Sequence, residues 1–173
     1  MKQTPKLSVL LVFIALAFGI FNASASDFDN IPKIGNISLS GFVYAKTSKA
    51  QEKYEKYKIG DGTEPVAVSN IGDAEGIMLS YSVESAPGIT NGKKVYNIRI
   101  LNPNGDVVGS NPEIFEYRGA TLKASINVDF DYDGRGATIT NCLGTKEKLI
   151  PGRYTVEFYS QGYILTKFEC TLK

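Results

Sequence analysis

Residues 152–172 place the tightest constraint on the fold of this chain. Between the turn signals Pro151-Gly152 and Gln161-Gly162, Tyr154, Val156 and Phe158 alternate with Thr155, Glu157 and Tyr159. After Gly162, Ile164, Thr166, Phe168, Cys170 and Leu172 alternate with Tyr163, Leu165, Lys167, Glu169 and Thr171. A period of two sends successive side chains to opposite faces, so both runs read as half-buried strands. So short a connection makes them pair antiparallel, and Gly162 supplies the positive φ of a tight turn. A lone hairpin is marginal in water, so its apolar face requires a second sheet.

The rest of the chain supplies one. Ile37, Leu39 and Val43 share a face, with Gly41 between them as an expected bulge, in a strand running to Ala45. Further strands are expected at Val66–Val68, Ile77–Val83, Val95–Leu101, from Val107, and, as a short edge piece, at Ile114–Tyr117. The longest alternating run puts Leu122, Ala124, Ile126, Val128, Phe130 and Tyr132 on one face and Lys123, Ser125, Asn127, Asp129, Asp131 and Asp133 on the other. Ala137–Cys142 returns after Asp133-Gly134. Pro103-Asn104-Gly105-Asp106 is a hairpin signal, because Asn-Gly suits the primed turns. Eight or nine short strands with turns this frequent predict an all-β chain, a single antiparallel β-sandwich. Residues 26–35 read as a lead-in tail. Residues 46–63 read as a solvated connection, with one short helix between 46 and 60 supported by Glu52 and Lys56 at i, i+4.

The spacing Leu149-x-Pro151-Gly152-x-Tyr154-x-Val156 resembles the tyrosine corner of immunoglobulin-like sandwiches, in which a Tyr opens the penultimate strand two residues before a core position. The resemblance implies an immunoglobulin-like domain of the kind found in secreted or periplasmic bacterial proteins. Val156 stands where antibody domains have a Cys, and the chain has no Trp, so the antibody core is not implied.

The N-terminus fits export. Lys2 and Lys6 precede an apolar run from Leu7 to Phe21, and Ala23-Ser24-Ala25 fits a cleavage site. Residues 1–25 are therefore expected to be a signal peptide, and 26–173 a single domain that is secreted or periplasmic. Loss of the two leader lysines takes the formal charge from +1 to −1. A near-neutral chain gives no reason to expect nucleic acid as a partner, and no second apolar segment is long enough to span a membrane. In an oxidising compartment Cys142 and Cys170 can form one disulfide; the alternative is two buried thiols.

Candidate chemistry is sparse. Asp129-x-Asp131-x-Asp133-Gly134 matches the first half of a calcium loop, in which hard oxygen ligands recur at every second residue. The twelfth position is Thr140 rather than Glu, and a wet strand face gives the same alternation. Asp129, Asp131 and Asp133 are thus candidate calcium ligands set against a simpler reading as a solvated row. The chain contains no His, which removes the commonest general base, and no nucleophile elbow, phosphate loop or zinc spacing is present. Tyr54, Tyr57, Tyr159 and Tyr163 fall on or near polar stretches and are candidate contact residues. The expectation is a non-catalytic binding module whose partner is a protein or glycan of the cell envelope. The alternatives are a calcium-assisted carbohydrate-binding module and a carboxylate-dependent hydrolase. Tyrosines on a concave face would favour sugars, a cleft with facing carboxylates would favour hydrolysis, and a flat face or open strand edge would favour protein contact.

Overall fold

The computed structural model describes residues 30–47, 49, 62–109 and 112–173. The described residues form an antiparallel β-sandwich of ten strands: β1 (Ile34–Lys46), β2 (Thr63–Val68), β3 (Gly76–Val83), β4 (Gly92–Leu101), β5 (Glu113–Tyr117), β6 (Ala120–Ala124), β7 (Ile126–Tyr132), β8 (Ala137–Gly144), β9 (Gly152–Ser160) and β10 (Tyr163–Leu172). The first sheet has the order β2-β1-β3-β8 and the second β10-β9-β4-β7, while β5 and β6 pair only with each other. A 3-10 turn, Ile71–Asp73, is capped by the Asn70 side chain.

The two large sheets meet through alternate residues. Leu39, Ile77, Leu79, Tyr81 and Val83 of the first sheet pack with Tyr96, Ile98, Ile100, Val128, Tyr132, Tyr154, Val156 and Phe158 of the second. Tyr81 stands edge-on to Phe158, with ring centroids 4.9 Å apart, and Tyr96 approaches the same ring at 6.5 Å. The closing hairpin forms as its alternation requires, turning at Gln161 and Gly162 with φ of 49° and 78°. Gly152 opens β9 at φ 141°, where a Cβ would stand 2.7 Å from the Pro103 ring, so glycine is required there on both counts.

Four local expectations are corrected. The long alternating run is two strands, not one: it breaks at the buried Ser125, whose backbone N–H donates to the Ile98 carbonyl and whose hydroxyl accepts from the Ile100 N–H. The upstream half turns back at Arg118-Gly119, both at positive φ, to form the separate β5–β6 hairpin, which raises the strand count to ten. The bulge of β1 lies between Gly35 and Ser38, not at Gly41. Gly41 instead admits Ile71 and Ala74, both within 3 Å of where its Cβ would lie. In β10 a bulge between Ile164 and Thr166 turns Ile164 outward and brings Leu165 to the core, because one extra residue reverses the faces of a period-two strand. The return from Pro103–Asp106 is a single bridge, Leu101 to Val107.

Residues 30–33 are not a free tail. Ile31 enters the core, Tyr96 Oη donates to the Pro32 carbonyl, and the buried Lys94 Nζ donates to the Asn30 carbonyl and side chain.

Burial pushes the Tyr81 phenol up to about 12 and the Tyr96 phenol higher still. Both folded values lie above the ordinary 10 of an unfolded chain. Their contribution is therefore complete below pH 10 and is lost as pH rises through the folded values. With no His in the chain, the melting temperature should be level from pH 6 to 8, begin to fall as the Cys142 and Cys170 thiols, which burial raises, titrate, and fall further above pH 10. Tyr81→Phe should be neutral or stabilising at pH 7, because Oη finds no hydrogen-bond partner among the described residues, and should soften the alkaline fall. Thermal melts across pH check both; a loss of about 2 kcal/mol in Tyr81→Phe at pH 7, the size of a broken buried hydrogen bond, would contradict the account.

Candidate interaction surface

The pairing register fixes what each sheet shows on its outer side. In the first sheet, inward Leu39, Leu79 and Asn141 alternate with outward Ser38, Ser80 and Thr140, which stand in one row across β1, β3 and β8. Ser40, Met78 and Cys142 form the next row, and Ser82 and Thr138 continue the surface beyond. Ser38, Thr138, Thr140 and Cys142 are exposed. Thr140 Oγ1 donates to Ser80 Oγ at 3.1 Å. Phe42 closes one end: its ring lies over Gly76, where a Cβ would stand 2.7 Å from it, and Tyr44 meets it edge-on at 5.2 Å. Tyr44 is 54% exposed. β3 and β8 hold no charged residue and β1 holds none before Lys46, so these strands line the outer surface with small hydroxyl and apolar groups, and the Glu84 carboxylate reaches it at the far end beside Gly35 and Ser82.

The second sheet is the opposite. Lys93, Asp129, Asp131, Arg153, Lys167 and Glu169 stand outward, and most are matched within the chain. Lys93 pairs with Asp129 at 2.5 Å, Arg153 with Glu169 at 3.5 Å and Lys167 with Glu169 at 3.1 Å. Toward the β5–β6 hairpin the face is covered. Arg99 Nε donates to the Lys123 carbonyl, and its guanidinium pairs with Glu157 at 2.9 Å with both side chains mostly buried. Tyr159 Oη donates to the same Glu157 carboxylate, and its ring meets Phe115 at 5.1 Å and Tyr117 at 4.9 Å. Burial pushes the Tyr159 phenol up from its ordinary value.

The sequence-expected site residues are thus dispersed. Tyr159 is buried under the hairpin and offers no open ring. Tyr163 is half-buried at the start of β10, opposite Ser160. Tyr54, Tyr57 and the expected leader, residues 1–25, lie outside the described residues. Asp129 is taken by Lys93, and Asp133 by the backbone N–H and guanidinium of Arg135, which hold its carboxyl below the usual range. Among the described residues no group of three or more His, Cys, Asp or Glu converges to hold a metal ion. The Asp row runs along one strand, where alternate residues stand almost 7 Å apart.

Cys142 and Cys170 are free thiols, and burial raises both above the ordinary value. Cys170 faces inward on β10, beside Phe168 and Leu172, whereas Cys142 is exposed on the outer side of β8. β10 runs next to β1, and β3 separates β1 from β8. That puts the two cysteines on opposite sheets and about two strand spacings, roughly 10 Å, apart sideways, beyond the reach of a disulfide.

Taken by fold and surface, this is a β-sandwich with one largely self-neutralised charged face and one face to which β3, β8 and β1 as far as Ala45 bring no charge. Residues 51–173 match the family model described as "Domain of unknown function (DUF8428)", and the chain belongs to that family. β1 lies upstream of the matched range yet pairs with both β2 and β3, so the folded unit begins before it. No curated protein matches the chain. Among solved structures, it is similar to the Pseudomonas fluorescens alkylpurine DNA glycosylase AlkC bound to DNA containing an abasic site analog, at 19% identity, covering 80% of this chain and 31% of that one, with a TM-score of 0.29. The chain thus spans about a third of that protein's length, and a likeness this low carries no argument about fold or function. Among the described residues no helix is long and apolar enough to cross a membrane.

This outer surface of the first sheet was readable only in part. Residues 34–45, 76–83 and 137–144 each lack charge in the sequence, but nothing local says that these three stretches lie side by side.

If the Asp row is matched from within, millimolar calcium should leave the melting temperature unchanged. A specific ligand at 100 times its dissociation constant would add about 2.7 kcal/mol, so a rise of several degrees would show that Asp129, Asp131 and Asp133 bind the ion.

Proposed function

We propose that this protein is an exported, non-catalytic binding module of the cell envelope, secreted or periplasmic, and that it engages a protein partner through the outer face of β1, β3 and β8. The observation that carries this reading is that β3, β8 and β1 as far as Ala45 contribute no charge to that face, beside a second sheet whose charges are plentiful and mostly paired. Exposed sheet faces are ordinarily studded with charge, and depletion of charged residues with retention of apolar and aromatic groups marks the centre of protein interfaces. Tyr44 and Met78 supply such groups here. The basic and apolar N-terminus, Met1–Ala25, supports export.

A protein is preferred to a glycan because Tyr159, one of the four tyrosines expected to make contacts, is spent on Phe115 and Tyr117. The sandwich is read as immunoglobulin-like. Support comes from Tyr154, whose Oη donates to the Ile150 carbonyl four residues upstream at 2.8 Å, the contact that a tyrosine corner makes.

Ser38→Lys places a charge in the middle of this face at an exposed position, where folding stability should change by less than about 0.5 kcal/mol. In pull-downs from a solubilised envelope fraction, the wild type and Lys167→Ala, altered on the charged face, should retain the same proteins, and Ser38→Lys should lose them. Retention by Ser38→Lys, or loss by Lys167→Ala, would overturn the assignment of the face. Binding on a glycan array would overturn the choice of a protein.

A further inference from the structure

The two sheets have four edge strands, and three carry devices that discourage further pairing. β2 has Pro65 and Glu64. β10 has a bulge between Ile164 and Thr166 and carries Lys167 and Glu169. β7 carries Asp129 and Asp131. Proline, bulges and charge are the means by which edges avoid joining other chains.

β8 has none of them. Its eight residues, Ala-Thr-Ile-Thr-Asn-Cys-Leu-Gly, include no charge and no proline. Its register against β3 runs unbroken from Gly76↔Gly144 to Val83↔Ala137, and along residues 137–143 no described strand pairs with its other edge. Such an edge presents a row of backbone donors and acceptors ready for another strand.

We infer that the occupant of this edge is a second copy of the same chain, paired antiparallel through β8 about a two-fold axis perpendicular to the sheet. The inference rests on the reading of the first sheet as the binding face, and extends it. An isologous contact sets a strand against itself, so any charge on it would meet its own kind. β8 is free of that repulsion, and the chain without the expected leader carries a formal charge of only −1. In an even register each outward residue meets an outward residue, bringing Thr138, Thr140 and Cys142 of one copy beside the same set of the other. Thr–Thr neighbours are favourable across strands. Ile139 and Leu143, half-buried at the rim of the core, would gain cover from their counterparts. The product is one eight-stranded sheet that carries two binding faces side by side, a bivalent surface for the envelope partner.

Sedimentation of the purified protein tests this. The wild type should be a concentration-dependent dimer and Thr140→Lys a monomer, with unchanged circular dichroism and melting temperature measured at concentrations where both are monomeric. Ser38→Lys should still dimerise. A wild type that stays monomeric at several hundred micromolar, or a Thr140→Lys dimer, overturns the inference. Cys142 gives a second readout, since it is exposed and Cys170 can be replaced by Ala. Nitroxides on Cys142 should lie within about 25 Å of each other, because the registers centred on β8 bring the two copies of residue 142 to roughly 8–15 Å between Cα atoms. A dimer with longer distances uses another surface and also overturns it. The two readings fail separately: a monomer whose Ser38→Lys variant loses the envelope partner would leave the binding face standing, and a β8 dimer indifferent to Ser38→Lys would leave only the dimer.

Discussion

The contact of Tyr81 with Phe158 holds the architecture together. It joins β3 of one sheet to β9 of the other at 4.9 Å, edge to face, and Tyr96 buttresses the same ring from β4. All three side chains are fully buried, and aromatic pairs in this geometry contribute about 0.5–1.5 kcal/mol beyond the area they bury. More important than the energy is the phase it sets. Once Tyr81 and Phe158 face inward, the period of two decides the direction of every other residue on their strands. Ser80 and Ser82 must then look outward from β3, and Glu157 and Tyr159 from β9.

From that phase come two dissimilar outer faces. On the second sheet, charge is handled locally. Lys93 meets Asp129, Arg153 and Lys167 meet Glu169, and Arg99 meets Glu157 beneath the β5–β6 hairpin. Exposed pairs of this kind contribute little to stability, about 0–1 kcal/mol each, but they leave few charges there to recruit a partner. A two-stranded hairpin is marginal alone. This one is held by the Arg99–Lys123 hydrogen bond, the Asn127–Glu113 contact and the rings of Phe115 and Tyr117 on Tyr159. In the first sheet β3 and β8 carry no charge and β1 carries none before Lys46, and β8 is the one described edge without a device against pairing.

The closing hairpin was legible because its alternation is strict and both of its turns are marked by glycine; only the Ile164 bulge escaped, since a bulge that no residue type requires leaves no local trace. The run from Leu122 to Tyr132 misled because its alternation continues through Ser125 without a phase change, although the backbone leaves one sheet there for another. Tyr159 reads as exposed from its neighbours and is covered only because Arg118-Gly119 folds a distant segment over it. The Asp row invited a metal because sequence shows the spacing of the carboxylates and not the Lys93 that β4 sets beside them. The candidate face was the least visible feature, since it is assembled from three strands that lie far apart in the chain.

The central claim is that the outer side and free edge of the first sheet are the working surface, while those of the second sheet are self-contained. Amide hydrogen exchange measured at two protein concentrations, one well above and one well below the micromolar range, tests it most directly. The account predicts that amides of residues 137–144 gain protection at the higher concentration, while those of β7 and β10 exchange alike at both. Protection appearing in β7 or β10 instead, or no change in residues 137–144, would contradict it.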